Sequence, residues 1–464
     1  AVWLEGDQKF YTGDAAVFNE PTAASTVTIS GTVSATGFTV NNSSNAYTFQ
    51  TGALTGATGF TKTGAGAVTL NNAHTFTGNA SITGGTVTGT GGVPSANTNS
   101  SFGLKSSSRQ ISVEGNATTL WLTATGGGSN TFGGGGMTAS QIPSLIIKDG
   151  GVVRTGKFNT VGNITLQNGG RLTNSSTETS GSYGGYQFIG PVTVSGTGTG
   201  TFIDLNGSTR PNHLKGGTPT TFDVSDITAD SSPDLAVSAA LADGSGDYAG
   251  IGSLTKSGSG TMLLSAANTY TGGTSVNGGV LEVSGNIGSG ALSIASGTTL
   301  KTSGTGTLNG GTLAAGIANN GTLSLTGSAN QILSGVITGS GSLVKSGSGI
   351  LTLSAASTFS GTTSVNGGTL IVDGSGSLDA ASAVTIGSAG TLKGGGVVNG
   401  GVTVSPGGTL TGGNGSTGML TLGSLSFNST ATVNIGGLEN YASSAAVESL
   451  GALALNGGAG AVTL

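Results

Sequence analysis

The sequence predicts an all-β solenoid with three short strands in each coil of about 20 residues. Three observations predict this fold class. The segment from Leu254 to Val283 recurs twice more along the chain, apolar residues alternate with small polar ones inside it, and 91 of the 464 residues are glycine. An internal repeat of this kind is typical of a solenoid, in which each coil packs only against its neighbours.

The repeated unit has four constant features. Its best-defined copy is LTKSGSGTMLLSAANTYTGGTSVNGGVLEV, a second copy runs from Leu343 to Val372, and a looser one runs from Phe60 to Gly89. Each copy holds a lysine, a G-x-G two residues later, an aromatic residue and a double glycine. These positions are Lys62, Lys256 and Lys345; Gly64 and Gly66, Gly258 and Gly260, Gly347 and Gly349; Phe76, Tyr270 and Phe359; Gly84-Gly85, Gly278-Gly279 and Gly367-Gly368.

The apolar spacing inside the unit is that of strands. Met262 and Leu264 flank Leu263, and the same alternation recurs in the other copies. This is a period of two and not of 3.6, so we expect three short strands and three turns in each unit. Glycine at the turns permits positive φ angles, at which a Cβ costs about 1–2 kcal/mol.

Leucines within and after the full copies recur at a regular spacing. They step from Leu281 to Leu300 and from Leu370 through Leu392 to Leu410, gaps of 19, 22 and 18 residues by subtraction. A step near 20 is one coil of a β-solenoid.

The composition of the chain argues against two classes of function. Charged residues make up 7% of the chain, the net charge is −5 and there is no cysteine. The lack of a basic patch argues against nucleic acid, and thiolate chemistry is excluded. The G-x-G-x-x-G at Gly413, Gly415 and Gly418 is expected by chance in so glycine-rich a chain.

The K-[ST]-G-x-G, N-T-[YF]-[TS]-G and N-G-G-x-L positions of the repeats resemble the passenger-associated transport repeat of autotransporter passengers and related secreted bacterial surface proteins. The resemblance implies a right-handed parallel β-helix located outside the cell, at the surface of a bacterium. The pattern at Gly13 to Phe18 resembles the first coil of that family. Near the C-terminus, Ala442 follows Tyr441 where the family tends to have Asp, which departs from its closing coil.

We expect one β-helix domain over residues 1–464, with no membrane span in this chain. Its predicted parts are capping coils at 1–50, a repeat at 51–92, irregular coils with loops at 93–250, repeats at 251–375 and closing coils at 376–464.

Two groups of residues are candidates for binding sites. The early aromatics Trp3, Phe10, Tyr11 and Phe18 could stack on sugars, but covering the open end of the first coil is the favoured interpretation. The aspartates between Asp223 and Asp247 could bind calcium, although their spacing fits no calcium motif and favours solvated turns. They are Asp223, Asp226, Asp230, Asp234, Asp243 and Asp247.

An enzymatic β-helix needs a compact group of acids and bases. The nearest approach to one is Asp204 with Asp223 and Asp226, near Arg210 and His213. We predict no catalytic, cofactor-binding or metal-binding residues. The repeat lysines are expected to lay their stems over the turn and keep the ammonium group in water.

The predicted function is that of an extracellular structural β-solenoid, a surface, matrix or filament element that self-associates head to tail and is adhesive. The alternatives are a carbohydrate-active lyase or hydrolase and a passive glycan-binding module. The expected partners are further copies of the chain or cell-surface glycans. Self-association is motivated by charge: residues 1–220 hold 10 Lys+Arg against 8 Asp+Glu, and residues 221–464 hold 4 against 11.

Overall fold

A computed structural model describes residues 13–90, 99–104, 106, 108–123, 132, 136–175, 185–413 and 419–428, and the backbone of strands Val447–Ser449 and Leu453–Asn456. The described residues form an all-β parallel β-solenoid with about 22 residues per turn. The predicted fold class is confirmed; its right-handed sense stays a prediction. None of the described residues is α-helical, and the 3₁₀ turns are Ala139–Gln141, Gly246–Tyr248 and Asn309–Gly311.

The chain divides into two compact units, Ala1–Leu254 and Thr255–Leu464. Three stacks of parallel strands build the first unit. The first sheet contains Ala15–Phe18, Gly37–Asn41, Phe60–Thr63, Ala80–Ile82, Gln110–Glu114, Ser144–Lys148, Ile164–Leu166, Val192–Val194 and Thr220–Val224. The second sheet contains Ser25–Ser34, Tyr47–Thr55, Ala67–Leu70, Thr86–Gly89, Thr119–Leu122, Val152–Thr155, Arg171–Asn174, Thr201–Leu205 and Leu235–Val237.

A third sheet joins Asn159–Val161, Tyr186–Phe188, Asn212–Leu214 and Leu241–Ala242. Asn99–Ser100 and Gly103–Leu104 pair with each other in an antiparallel sense.

The second unit repeats the same stacking with shorter connections. Its strands in chain order, beginning with one that straddles the unit boundary, are Leu254–Ser257, Thr261–Leu264, Thr274–Val276, Val280–Val283, Asn286–Ile287, Leu292–Ile294, Thr299–Thr302, Thr307–Leu308, Thr312–Leu313, Ile317–Asn319, Thr322–Leu325, Gln331–Leu333, Ile337–Thr338, Ser342–Lys345, Ile350–Leu353, Thr363–Val372, Ser377–Leu378, Val384–Gly394, Val397–Val404, Thr409–Gly412 and Leu420–Asn428. Val447–Ser449 and Leu453–Asn456 both pair with the last of these.

Most strands of the first two stacks bury alternate residues, as the sequence predicts, whereas three strands of the third sheet are buried at every position. Leu281, Leu300 and Leu323 pair at one register position on successive turns and are fully buried. Burial of a leucine side chain stabilises the fold by about 1.5–3 kcal/mol. The inward stripe of aliphatic residues therefore supplies the core along each unit.

The copies at Phe60–Gly89 and Leu254–Val283 hold four strands rather than the three predicted, because the prediction left out the strand at the lysine. The copy at Leu343–Val372 holds three. In the best-defined copy, Leu254–Ser257 and Thr274–Val276 lie in one stack, and Thr261–Leu264 pairs with Val280–Val283 in another. Each copy therefore spans more than one turn and returns to the stack in which it began.

Phe18 is buried among other rings. It lies 5.0 Å from Phe49 and 5.7 Å from Phe38, ring centroid to centroid, in edge-to-face contacts. This supports the covering role for Phe18, while Trp3, Phe10 and Tyr11 lie outside the described residues. So do Gly415, Gly418, Tyr441 and Ala442. The part of the chain that the structure describes contains no helix long and apolar enough to cross a membrane.

Candidate functional site

The constant residues of the repeat meet at one corner. Lys256 is fully buried, and its ammonium donates hydrogen bonds to the carbonyl oxygens of Ser257 at 2.9 Å, Gly258 at 2.8 Å and Gly278 at 3.0 Å. Gly258 belongs to the G-x-G and Gly278 to the double glycine one turn later. The lysine therefore ties two successive turns together from inside.

The other copies repeat this corner. The Lys62 ammonium reaches the carbonyls of Thr63, Gly64 and Gly84, and that of Lys345 reaches Gly347 and Gly367. The expectation that these ammonium groups stay in water was wrong, because the bend of the chain turns several carbonyls inward and the ammonium donates to them. Burial lowers the pKa of Lys62 to about 8 and also lowers the pKa of Lys345.

The double glycine is needed because the turns touch. Gly279 has φ of +56°, and a Cβ there would lie 2.3 Å from the carbonyl oxygen of Gly260. Gly85 and Gly368 have φ of +69° and +63° and equally close carbonyls. Both conformation and space exclude a side chain at this position.

The acid and base residues considered for catalysis do not converge. Asp204 lies on the second sheet, Asp223 on the first and His213 on the third. Arg210 lies in the turn before His213, and its carbonyl accepts a hydrogen bond from Asn174 Nδ2 at 2.8 Å. Asp226 lies in the turn after Asp223.

The aspartate-rich stretch forms local turns. Asp234 Oδ1 accepts hydrogen bonds from the backbone of Ile227 at 2.7 Å and Thr228 at 2.9 Å, and Asp230 Oδ1 accepts one from Ser232 N at 2.7 Å. These carboxylates stabilise the loop backbone. Within the described residues, no three acidic or histidine side chains come together in a way that could hold a metal ion.

His213 belongs to a covered face. Its Nδ1 donates to the carbonyl of Asp243 at 2.8 Å, and Gln187 Oε1 accepts a hydrogen bond from Ser245 N at 3.0 Å. Tyr248 Oη donates to the Met137 carbonyl at 2.6 Å. Burial lowers the pKa of His213, which lies beneath the connection that carries Asp243, Ser245 and Tyr248.

A different group stands out on the outer face of the second sheet. Trp121 and Arg154 pair across neighbouring strands, and the Arg154 guanidinium carbon lies 4.6 Å from the centroid of the indole ring. Arg154 Nε donates to Ser175 Oγ at 2.9 Å. The guanidinium is thus held over the ring by a cation–π contact and one hydrogen bond.

The next two strands repeat the arrangement. Arg171 pairs with Phe202, and its guanidinium carbon lies 4.5 Å from that ring's centroid. Arg171 Nη1 also bonds to Asp204 Oδ2, and Thr173 Oγ1 donates to Asp204 Oδ1 at 2.7 Å. We call Trp121, Arg154, Arg171, Phe202 and Asp204 the ladder face.

Trp121 and Phe202 are the only aromatic residues that are not buried among those whose burial the structure describes. Sequence reasoning named Asp204 but missed the other four members of the ladder face. A signal was available, because Trp121 stands between Leu120 and Leu122, whose alternation turns the indole outward. The register that stacks an arginine on each ring was not readable from the sequence.

Comparison with known proteins agrees with the fold. The passenger-associated-transport-repeat family matches residues 60–88, 254–283 and 343–372. Over 250 residues the chain is 30% identical to the adhesin BmaC autotransporter of Brucella suis biovar 1. The matched region makes up 48% of this chain and 7% of that protein. No solved structure matches the chain.

The relative is an adhesin by name, and a passenger of this type is secreted to the bacterial surface or exterior. The similarity to it is distant, and this chain spans only a small part of its length. The chain thus carries three passenger-associated-transport repeats, each with a lysine corner, and is similar over part of its length to an autotransporter adhesin.

Proposed function

We propose that the chain is an extracellular structural β-solenoid, a surface or matrix building element that is adhesive through its ladder face. One observation carries the adhesive part. Among the residues with described burial, the two aromatic side chains left unburied lie on the same outer face, each under an arginine. Aromatic and arginine side chains are enriched where proteins bind partners.

The stacking of short turns supports the structural part. The lysine corners join successive turns at three places in the chain. A solenoid of this kind gains stability from each neighbouring interface. It therefore offers a rigid support for an adhesive face.

Binding of glycans is favoured over their cleavage. Hydrolysis of a glycosidic bond by paired acids requires two carboxyl groups about 5–10 Å apart. Asp204 is occupied by Arg171 and Thr173, and Asp223 belongs to a different sheet. The ladder face thus supports a non-enzymatic, glycan-binding role for the passenger.

The test is adhesion of beads coated with the purified chain to surfaces that carry bacterial or host-cell glycans. We expect the double variant Trp121→Ser, Phe202→Ser to lose adhesion. The matched control Leu263→Ser, Val344→Ser changes two outward, half-buried residues of the second unit and should adhere normally. Equal adhesion by the ladder-face variant and the unmodified chain would contradict the proposal.

Head-to-tail assembly into filaments is a second proposal. Strand Ala15–Phe18 pairs with Gly37–Asn41 on one side, and no other described strand pairs with it. Val17 on this strand is 56% exposed, so the first described strand presents an apolar side chain to solvent. Analytical ultracentrifugation should show a sedimentation coefficient that increases with concentration, and a constant monomer value across the micromolar range would refute assembly.

A further inference from the structure

We propose that the ladder face binds acidic polysaccharide, through Arg154 and Arg171 acting together on the carboxylate or sulfate groups of one chain. This inference rests on the proposed adhesive function and names its ligand class. It follows from which nitrogen atoms of the two guanidinium groups are occupied and which are not.

Arg154 has unused donors. Nε is taken by Ser175, and no described carboxylate pairs with the group. The outward lysines Lys148 and Lys301, by contrast, pair with Glu114 at 2.8 Å and Glu282 at 3.1 Å. The two terminal nitrogens of Arg154 therefore remain for an external anion, in the planar fork that matches a carboxylate or sulfate.

Arg171 is aimed by Asp204 without being buried by it. The Asp204 side chain is 13% exposed, whereas that of Arg171 is 42% exposed. Thr173 holds the other carboxylate oxygen of Asp204. The negative charge is thus largely covered and satisfied, and the guanidinium is more exposed to solvent, so the outermost charge on this face is positive.

The two arginines lie on adjacent strands, Val152–Thr155 and Arg171–Asn174. Arg154 pairs with Thr173 and Arg171 with Val152, so the two arginines are two positions out of register on strands about 4.8 Å apart. A ligand that engages both guanidinium groups needs an anionic group for each. A polymer with regularly spaced charges meets this need better than a single small anion.

The neighbours of the arginines fit a sugar rather than an acidic peptide. Thr88 and Trp121 pair on the outer face, and Thr69 pairs with Thr88 one turn earlier. Thr119 and Thr86 form a parallel outward column. These hydroxyl groups continue the face along the stack, where they donate to and accept from sugar hydroxyl groups.

The experiment measures binding of the full chain to polygalacturonate, dextran sulfate, neutral dextran and polyglutamate by isothermal titration calorimetry. We expect the two acidic polysaccharides to bind, with affinity that falls as salt is added, and the neutral polymer to show none. Arg154→Gln should weaken binding about tenfold or more. Arg154→Lys keeps the charge but loses the planar fork of two nitrogens. Its affinity should lie between that of the unmodified chain and that of Arg154→Gln.

Lys393→Gln is the matched control, since it removes the same charge from an outward position in the second unit. It should change affinity less than about twofold, as expected for a charge remote from the site. Equal weakening by the Arg154 and Lys393 variants would overturn the inference, as would equal binding of dextran or tighter binding of polyglutamate. If Trp121→Ser, Phe202→Ser abolishes adhesion while acidic polysaccharides do not bind, the adhesive function stands and the ligand class is wrong.

Discussion

The irregular turns of the first unit and the regular turns of the second use the same parallel stacking to different ends. Paired residues are 31 positions apart from Ala80 to Ile111 and 34 apart from Ile111 to Leu145, by subtraction. In the second unit the step from Met262 to Leu281 is 19, and that from Leu323 to Leu343 is 20. The long steps add loops without interrupting the ladder of strands.

The difference lies in what each region shows to solvent. The regular turns present hydroxyl groups on one outward column, Ser364, Thr385, Thr403 and Ser426. The irregular turns present the rings and guanidinium groups of the ladder face, and their loops bury polar side chains such as Gln187. The most uniform stacking is therefore found where the turns are short, and the proposed binding face lies where their lengths vary.

The largest expected effect is that of a side chain at a corner glycine. Gly279→Val should lower the free energy of unfolding by about 3–5 kcal/mol, because it combines positive φ with a backbone clash. Gly207→Val, in an irregular turn with φ of +73° and nothing within 4 Å of the added Cβ, should cost only about 1–2 kcal/mol. Denaturant titration measures both, and equal losses would mean that the corners are no tighter than the loops.

Removing a corner lysine should have the next largest effect. Lys256→Ala leaves three buried carbonyl oxygens without their donor, and we expect a loss of about 2–4 kcal/mol. Lys148→Ala, which breaks an exposed pair with Glu114 in the irregular region, should cost less than about 1 kcal/mol. Similar midpoint shifts for the two variants would show that the corner contributes no more than a surface ion pair.

Stability should rise with pH around the Lys62 corner. The folded pKa of Lys62 is about 8, below its usual value of 10.5, so the unfolded chain binds more protons between these two pH values. The free energy of unfolding therefore increases from pH 8 to pH 10, by on the order of 1 kcal/mol, and approaches a plateau above the unfolded pKa. Lys62→Met should flatten this increase, and an unchanged slope in that variant would assign it to other groups.

The smallest effect is expected at Asp204. Asp204→Asn weakens one partly exposed ion pair and should lower stability by about 1 kcal/mol or less. It should alter no release of sugar ends, because we expect none from the unmodified chain. A reducing-end assay and a measurement of unsaturated products check this, and reproducible product formation would favour the enzymatic alternative.

The fold class could be predicted from the sequence because the alternation of apolar residues and the regular spacing of glycines are local properties. The stacks at Leu281 and Leu300 follow directly from the spacing of the leucines. The corner was missed because lysine is usually exposed, and only the stacking of Gly278 over Gly258 reveals that the ammonium is enclosed. The ladder face was missed because its paired residues, Trp121 with Arg154 and Arg171 with Phe202, are 33 and 31 positions apart by subtraction, outside the spacing near 20 that the sequence shows.

The enclosed lysines also bear on how long the protein lasts outside the cell. A protease that cleaves after basic residues must take the side chain into its own pocket, and Lys256 and Lys345 are 0% and 2% exposed. Between residues 255 and 428 the remaining basic residues, Lys301 and Lys393, lie within strands. Digestion of this region therefore has to wait for the strands to open, so the residues that join the turns also remove the sites at which the folded chain would be cut.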